Sequence, residues 1–232
     1  MKKTILIISL AVVVSMGFAQ AIYNSDAHIV STSGSYWVVD NGNFTLTSAS
    51  PANLAQMANL TITADASLTL PATTCLTVSG NLDNNSGNDG LTLLSNASGS
   101  ASLIQGNNAV DATLQRYLTG NANLSAMTYH LVSVPLTPAT NSFTELFTGA
   151  YVYDFNVAAN AWNGLGIATD TPLDETRGYM VYVPEDSHTY IFAGPMNGGA
   201  FAALTTYGGE GYNLVPNPYP SAIDWDLSLI HI

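Results

Sequence analysis

A phrase of apolar, threonine, apolar character returns four times along this chain, as Phe44-Thr45-Leu46, Leu60-Thr61-Ile62, Leu76-Thr77-Val78 and Leu91-Thr92-Leu93, with starts 16, 16 and 15 residues apart. One such segment cannot shield its own apolar side chains. A short fixed period therefore demands that successive windings of backbone stack and cover one another's inner faces. Half-period partners, Tyr36-Trp37-Val38 eight residues before Phe44 and Leu68-Thr69-Leu70 eight after Leu60, give each coil at least two short strands. Strand alternation sends Phe44, Leu46, Leu60, Ile62, Leu76, Val78, Leu91 and Leu93 inward and leaves Thr45, Thr61, Thr77 and Thr92 as an exposed ladder.

Between the phrases lie Ser79-Gly80-Asn81, residues 84–87 and Ser98-Gly99-Ser100, whose Gly and Asn tolerate the left-handed backbone that corners need. The least regular coil is 48–57, where a short helix over 52–58 is the alternative to a strand. A stack of coils also presents raw strand edges at both ends. Residues 22–30 are expected to cover one end and the region after the repeat the other.

From about residue 107 the period vanishes and longer, aromatic-rich alternating segments take over, at 113–118, 128–134, 150–155, 178–183 and 189–193. Separated by Gly, Pro, Asn and Asp clusters with no helical period between them, they predict an antiparallel sandwich. Residues 184–187 are expected to fold strand 179–183 back onto strand 190–192 as a hairpin. The fold class expected is all-β: a short parallel β-solenoid (β-helix) of about 16-residue coils over 22–106, then a β-sandwich-like domain over 107–226.

The ends carry separate information. Lys2 and Lys3 precede an apolar run at 5–14 and small residues at Gly17, Ala19 and Ala21, the pattern of an export signal over 1–21. The run is too short to span a bilayer comfortably, so cleavage is expected, with no stable membrane insertion afterwards. Leu227-Ser228-Leu229-Ile230-His231-Ile232 looks like the translated end of a sequencing adapter, which makes the chain a fragment in this reading. Loss of both lysines leaves Arg116 and Arg177 against 16 carboxylates. Such a balance excludes nucleic acid and anionic lipid as partners, because phosphate binding depends on Lys and Arg releasing counterions. The single cysteine, Cys75, precludes an intrachain disulfide and is expected to pack as a small apolar side chain.

In the second region Arg116-Tyr117-Leu118, Tyr129-His130-Leu131-Val132-Ser133-Val134-Pro135, Arg177-Gly178-Tyr179-Met180-Val181-Tyr182, Phe192-Ala193-Gly194 and Gly211-Tyr212-Asn213-Leu214-Val215-Pro216-Asn217-Pro218-Tyr219-Pro220-Ser221 follow in order. Together they resemble exported surface proteins of the Bacteroidota, the kind sent out by the type IX secretion route. The resemblance implies a short β-solenoid followed by a β-rich domain and, far downstream, a sorting domain; most such proteins have no assigned activity, and no catalytic residue carries over. Pro216 departs from the group, which usually has Gly there. Physically, Pro218 and Pro220 each remove a backbone donor, so the motif reads as a rigid corner.

Candidate chemistry is sparse. Asp83, Asn85 and Asp89, in the oxygen-rich stretch 83–90, are the candidate calcium ligands, although Gly87 and Asn88 stand where an EF-type loop places a ligand and its glycine. Histidines 28, 130 and 188 lack metal-ligand spacing. The solenoid holds Asp26, Asp40, Asp65, Asp83 and Asp89 but no Glu, Lys or Arg. It therefore offers a poor basis for a glycosidase pair or for a lyase. Exposed aromatics stack on sugar faces, and Trp162, Tyr151 and Tyr153 are the candidate glycan-binding residues among Tyr36, Trp37, Tyr179 and Tyr182. Their alternating positions equally allow them to fill the core. The expected function is a non-catalytic extracellular structural or adhesive segment of a larger surface protein. The alternatives are a carbohydrate-binding module or a fragment of a carbohydrate-active β-helix enzyme, with an extracellular glycan or another surface protein as partner.

Overall fold

The computed structural model describes residues 21–24, 36–46, 54–107, 109–123, 127–136, 142–165, 172–184, 186–201, 205 and 208–223. Residues 1–20 of the candidate leader, 25–30 of the expected cap at 22–30, and 227–232 lie outside them.

The repeat builds a three-sided column. One face carries β1 (Ala21–Asn24), β2 (Tyr36–Val39), β5 (Asn59–Ile62) and β8 (Leu82–Asn84), all parallel. The second stacks β3 (Gly42–Thr45), β6 (Ala66–Leu70) and β9 (Leu91–Leu93), and the third β4 (Leu54–Met57), β7 (Cys75–Val78) and β12 (Ser102–Gln105). From β2 onward, residues paired on neighbouring coils are 21 to 27 positions apart. The coil is therefore longer than the 16 residues that the phrases suggest, because each phrase falls two faces, not one turn, after the last. Phe44 and Leu91 share a face two turns apart, while Leu60 and Leu76 occupy the other two faces.

The inward assignment holds for all eight phrase residues, each buried. They stack as Trp37 on Leu60 on Leu82, Phe44 on Leu68 on Leu91, and Ala55 on Leu76 on Leu103. The threonine ladder has different members: Thr45, Thr69, Thr92 and Thr113 are in register on one face. Thr61 and Thr77 stand beside Val38 and Gln56 on the others. Residues 54–57 form a strand and not a helix. Cys75 opens β7 on its half-exposed side and does not join the core, since Leu76 and Val78 take the inward positions. Corners take positive φ at Asn41, Thr73, Gly87 and Gly99.

The second region is fused to the column. After the ribbon of β10 (Ser95–Asn96) and β11 (Gly99–Ser100), β13 (Val110–Thr119) pairs parallel with β9. β18 (Ser187–Met196) then pairs antiparallel along the full length of β13. A separate antiparallel sheet runs β14 (Tyr129–Val132), β17 (Tyr179–Tyr182), β15 (Tyr151–Asn156) and β16 (Ala161–Leu165). β14, β17 and β15 match sequence expectation; β16 is an addition. The expected hairpin does not form, because β17 pairs with β14 and β15 whereas β18 pairs with β13. Between β17 and β18 the Val183 and Asp186 carbonyls accept from the Asn121 and Gly120 amides.

Sheet and sheet close over a shared core. Phe147, just after the short helix α1 (Phe143–Leu146), packs its ring 5.1 Å from Tyr190 and 5.6 Å from Phe192 of β18. Val181, Val152 and Tyr179 bury the near side of the four-stranded sheet in the same continuous core as the solenoid leucines. The second region also covers the last coil, as expected. The Leu82 amide donates to Asn107 Oδ1 (2.9 Å), the Leu103 amide to the Pro220 carbonyl (3.2 Å), and Asn84 Nδ2 to the Asp111 carbonyl (2.7 Å). Donors that a further coil would have bonded are thereby satisfied.

Candidate functional site

Cross-strand register places the aromatic residues of the four-stranded sheet. Tyr129 of β14 and Tyr151 of β15 both stand opposite Tyr182 of β17. Tyr153 and Phe155 follow Tyr151 at two-residue steps, and on β16 they face Gly164 and Trp162. Residues two apart on a strand share a face. Tyr129, Leu131, Met180, Tyr182, Tyr151, Tyr153, Phe155 and Trp162 therefore all project from the side away from the core. Tyr151 is 57% exposed, Tyr129 44% and Trp162 42%, large values for such side chains.

The rings support one another. Tyr151 stacks on Tyr182 at 5.8 Å between centroids, Tyr129 lies 5.7 Å from Tyr182 and 6.3 Å edge-on from Tyr153, and Phe155 meets Trp162 edge-on at 5.2 Å. Tyr182 is buried beneath its neighbours, and its hydroxyl donates to the Asn121 carbonyl (2.8 Å). The Tyr153 ring lies over β16 at Gly164, within van der Waals reach of where a Cβ there would stand (3.5 Å to Cε1). Burial, with the Tyr129 and Tyr151 phenols adding to it, raises the Tyr153 pKa. The three sequence-derived candidates, Trp162, Tyr151 and Tyr153, are thus on one face. Tyr129 and Leu131 were missed, although the alternation in Tyr129-His130-Leu131 is their signal. Of the other aromatics weighed, Trp37 and Tyr179 are core, and Tyr36 bonds Thr61 Oγ1 at 2.8 Å on the solenoid flank.

The candidate calcium stretch is a solenoid corner organised by Asn84. Its Nδ2 donates to the Gly87 carbonyl as well as to Asp111, and its Oδ1 accepts the Ser86 amide (3.1 Å). A Cβ at Gly90 would meet Asn84 Oδ1 at 2.2 Å, so the side chain nests against bare backbone. Asp83, Asn85 and Asp89 are exposed around this corner. Among the described residues no three His, Cys, Asp or Glu side chains are grouped to share a metal ion. No helix among them is long and apolar enough to cross a membrane.

The proline motif is a structural joint. Asn217 Oδ1 accepts the Tyr219 amide (3.1 Å), its Nδ2 donates to the Ser221 carbonyl (2.7 Å), and Ser133 Oγ donates to the Asn217 carbonyl. Buried Asn197 donates through Nδ2 to the Leu136 and Pro218 carbonyls. Beside this joint a cleft of about 420 Å³ opens between β13 and β14, lined by Arg116, His130, the polar side chains of Gln115, Ser133 and Asn217, and apolar and tyrosine side chains.

No curated protein and no solved structure matches the chain. One family spans nearly all of it, matching residues 24–229, and is described as a domain of unknown function, DUF8693. The three-sided solenoid welded to an aromatic-faced antiparallel sheet is thus the architecture of a member of that family, to which this chain belongs.

Proposed function

We propose that this chain is a non-catalytic structural and adhesive segment of an exported surface protein, in which the solenoid is the spacer and the outer aromatic face of the four-stranded sheet is the contact surface. The leader at 1–21 and the acidic composition support an extracellular setting, and the resemblance to type IX-exported surface proteins agrees with it. The observation that carries the reading is the one-sided placement of Tyr129, Tyr151, Tyr153 and Trp162 on a sheet whose other side is bonded into the column's core. Aromatic surface held in place by its own neighbours binds with little loss of side-chain freedom.

A second reading, carbohydrate binding, is favoured by the exposure of both Trp162 and Tyr151, since a ring face with an exposed edge stacks on a pyranose. Immobilised mature protein tested against a glycan array and against other surface proteins separates the two. Retention that falls at least tenfold in a Trp162→Ala, Tyr151→Ala double variant of unchanged melting temperature supports this surface. Retention unaffected by the double variant refutes it.

A further inference from the structure

The cleft between β13 and β14 is a different kind of place from the aromatic face. It opens along the β14 edge of the four-stranded sheet, where Tyr129 and Leu131 at the margin of the aromatic face border it together with His130 and Val132. On β13, Arg116 alternates with Leu114 and Leu118, both buried, and so occupies a core-facing position opposite Tyr190 of β18. From the other sheet His130 alternates with Val132 on the core-facing side of β14, opposite Val181. Leu93, Leu114, Leu118 and Phe192 supply apolar wall.

Its electrostatics run against the rest of the molecule. The sequence has 16 carboxylates, yet among the described residues none lines this cleft. Arg116 Nη1 donates to Ser100 Oγ at 3.0 Å, and among the described residues Arg116 has no carboxylate partner. Arg177, by contrast, is paired with Asp174 at 3.4 Å on the surface. Burial pulls the Arg116 pKa below its usual value. A guanidinium stays charged even so, and its remaining donors have a planar fork that fits a carboxylate. His130 Nε2 is bonded to the Thr119 carbonyl at 2.6 Å, which fixes the ring and leaves Nδ1 as its second polar atom.

The geometry points to a ligand site in this cleft for a small ring-borne carboxylate, with Arg116 forking the carboxylate and the ring seated against Leu114, Leu118 and Phe192. One fixed cation with a single fork suits a monoanion better than a phosphate dianion, which would call for further positive charge. A volume of about 420 Å³ accommodates one ring. The apolar walls give a ring more to bury than they give acetate. Sugar acids and aromatic acids share this chemistry, and the assay tells them apart.

Titration of the full chain with galacturonate, its methyl ester, benzoate, acetate and inorganic phosphate, followed by calorimetry, tests the site. Galacturonate or benzoate should bind at least tenfold more tightly than acetate or phosphate, and whichever is tighter names the source. If it is galacturonate, its neutral methyl ester should lose at least tenfold, a comparison that needs no variant. Arg116→Gln should abolish binding and Arg116→Lys weaken it at least fivefold, each with a far-UV spectrum like that of the parent. The Trp162→Ala, Tyr151→Ala variant should bind as the parent does, so that failure of the aromatic face and failure of the cleft are read separately. Absence of heat with every acid, equal affinity for acetate or phosphate, or binding that survives Arg116→Gln would overturn the assignment.

Discussion

Replacing Asn197 with alanine tests the joint between column and sheet. Asn197 is 2% exposed, and its Nδ2 donates to the Leu136 carbonyl at 3.3 Å and to the Pro218 carbonyl at 3.1 Å, both on buried residues. Its backbone amide and carbonyl are engaged as well, by Pro135 and by Gln105 Nε2, so the backbone is held whatever the side chain. Truncation therefore removes two hydrogen bonds and leaves two buried acceptors without a donor, at about 1–1.5 kcal/mol each. The expected loss is about 2–3 kcal/mol, or about 4–12 °C in melting temperature for a chain of this size. Asn197→Asp should be worse, because it buries a charge where donors are required. Exposed Asn96, which accepts only the local Ser98 amide (2.8 Å), should cost under about 0.5 kcal/mol as alanine. Urea unfolding followed by tryptophan fluorescence reads both halves, since Trp37 lies in the column and Trp162 on the sheet. An Asn197→Ala midpoint within about 0.5 kcal/mol of the parent, at unchanged slope, would show that the two carbonyls do not depend on this side chain.

Two further perturbations address the coil and the core. In a Cys75→Ser background, Thr69→Cys with Thr92→Cys should form a disulfide, because these positions are in register on adjacent coils; Thr45→Cys with Thr61→Cys should not, as they stand on different faces. Peptide mapping under oxidising conditions reads the result, and the reverse pattern would restore the shorter coil. Burial, opposed by the Asp174 backbone bond, raises the Tyr179 pKa above the ordinary tyrosine value. A phenol whose folded pKa is raised gives stability that is complete below about pH 10 and is lost as pH climbs toward the folded value. Urea midpoints between pH 9 and 11 should fall in the parent and fall less in Tyr179→Phe; equal slopes would refute the assignment.

Much of the column was legible because alternation and recurrence are direct consequences of burying one side of a strand. The number of sides was not legible. A spacing of 16 fits one turn of a small coil or two faces of a larger triangular one, and only the pairing of Phe44 with Leu68 decides between them. The failed hairpin has a similar cause. Turn chemistry at 184–187 signals a reversal, but whether the returning strand joins the same sheet depends on partners far away in sequence, here the full length of β13. On the site, alternation grouped Tyr151 with Tyr153, whereas the outward side of the sheet is set by Val152 and Val181 sinking into the core. Arg116 did leave a trace. In the series Ala112, Leu114, Arg116, Leu118 a cation interrupts an otherwise apolar parity, and that interruption is the sequence signature of the cleft.

The sheet that continues from β3 through β6 and β9 into β13 and β18 gives the molecule a direction of growth. At the β18 side, parallel stacking stops against an antiparallel partner and the proline joint. Whole windings inserted between β2 and β8 would lift the aromatic face farther from its origin, by about 4.8 Å each, without altering a contact in either the cleft or the face. In the proposed role, reach and recognition are therefore separable quantities, the first set by a count of windings and the second by the terminal sheet.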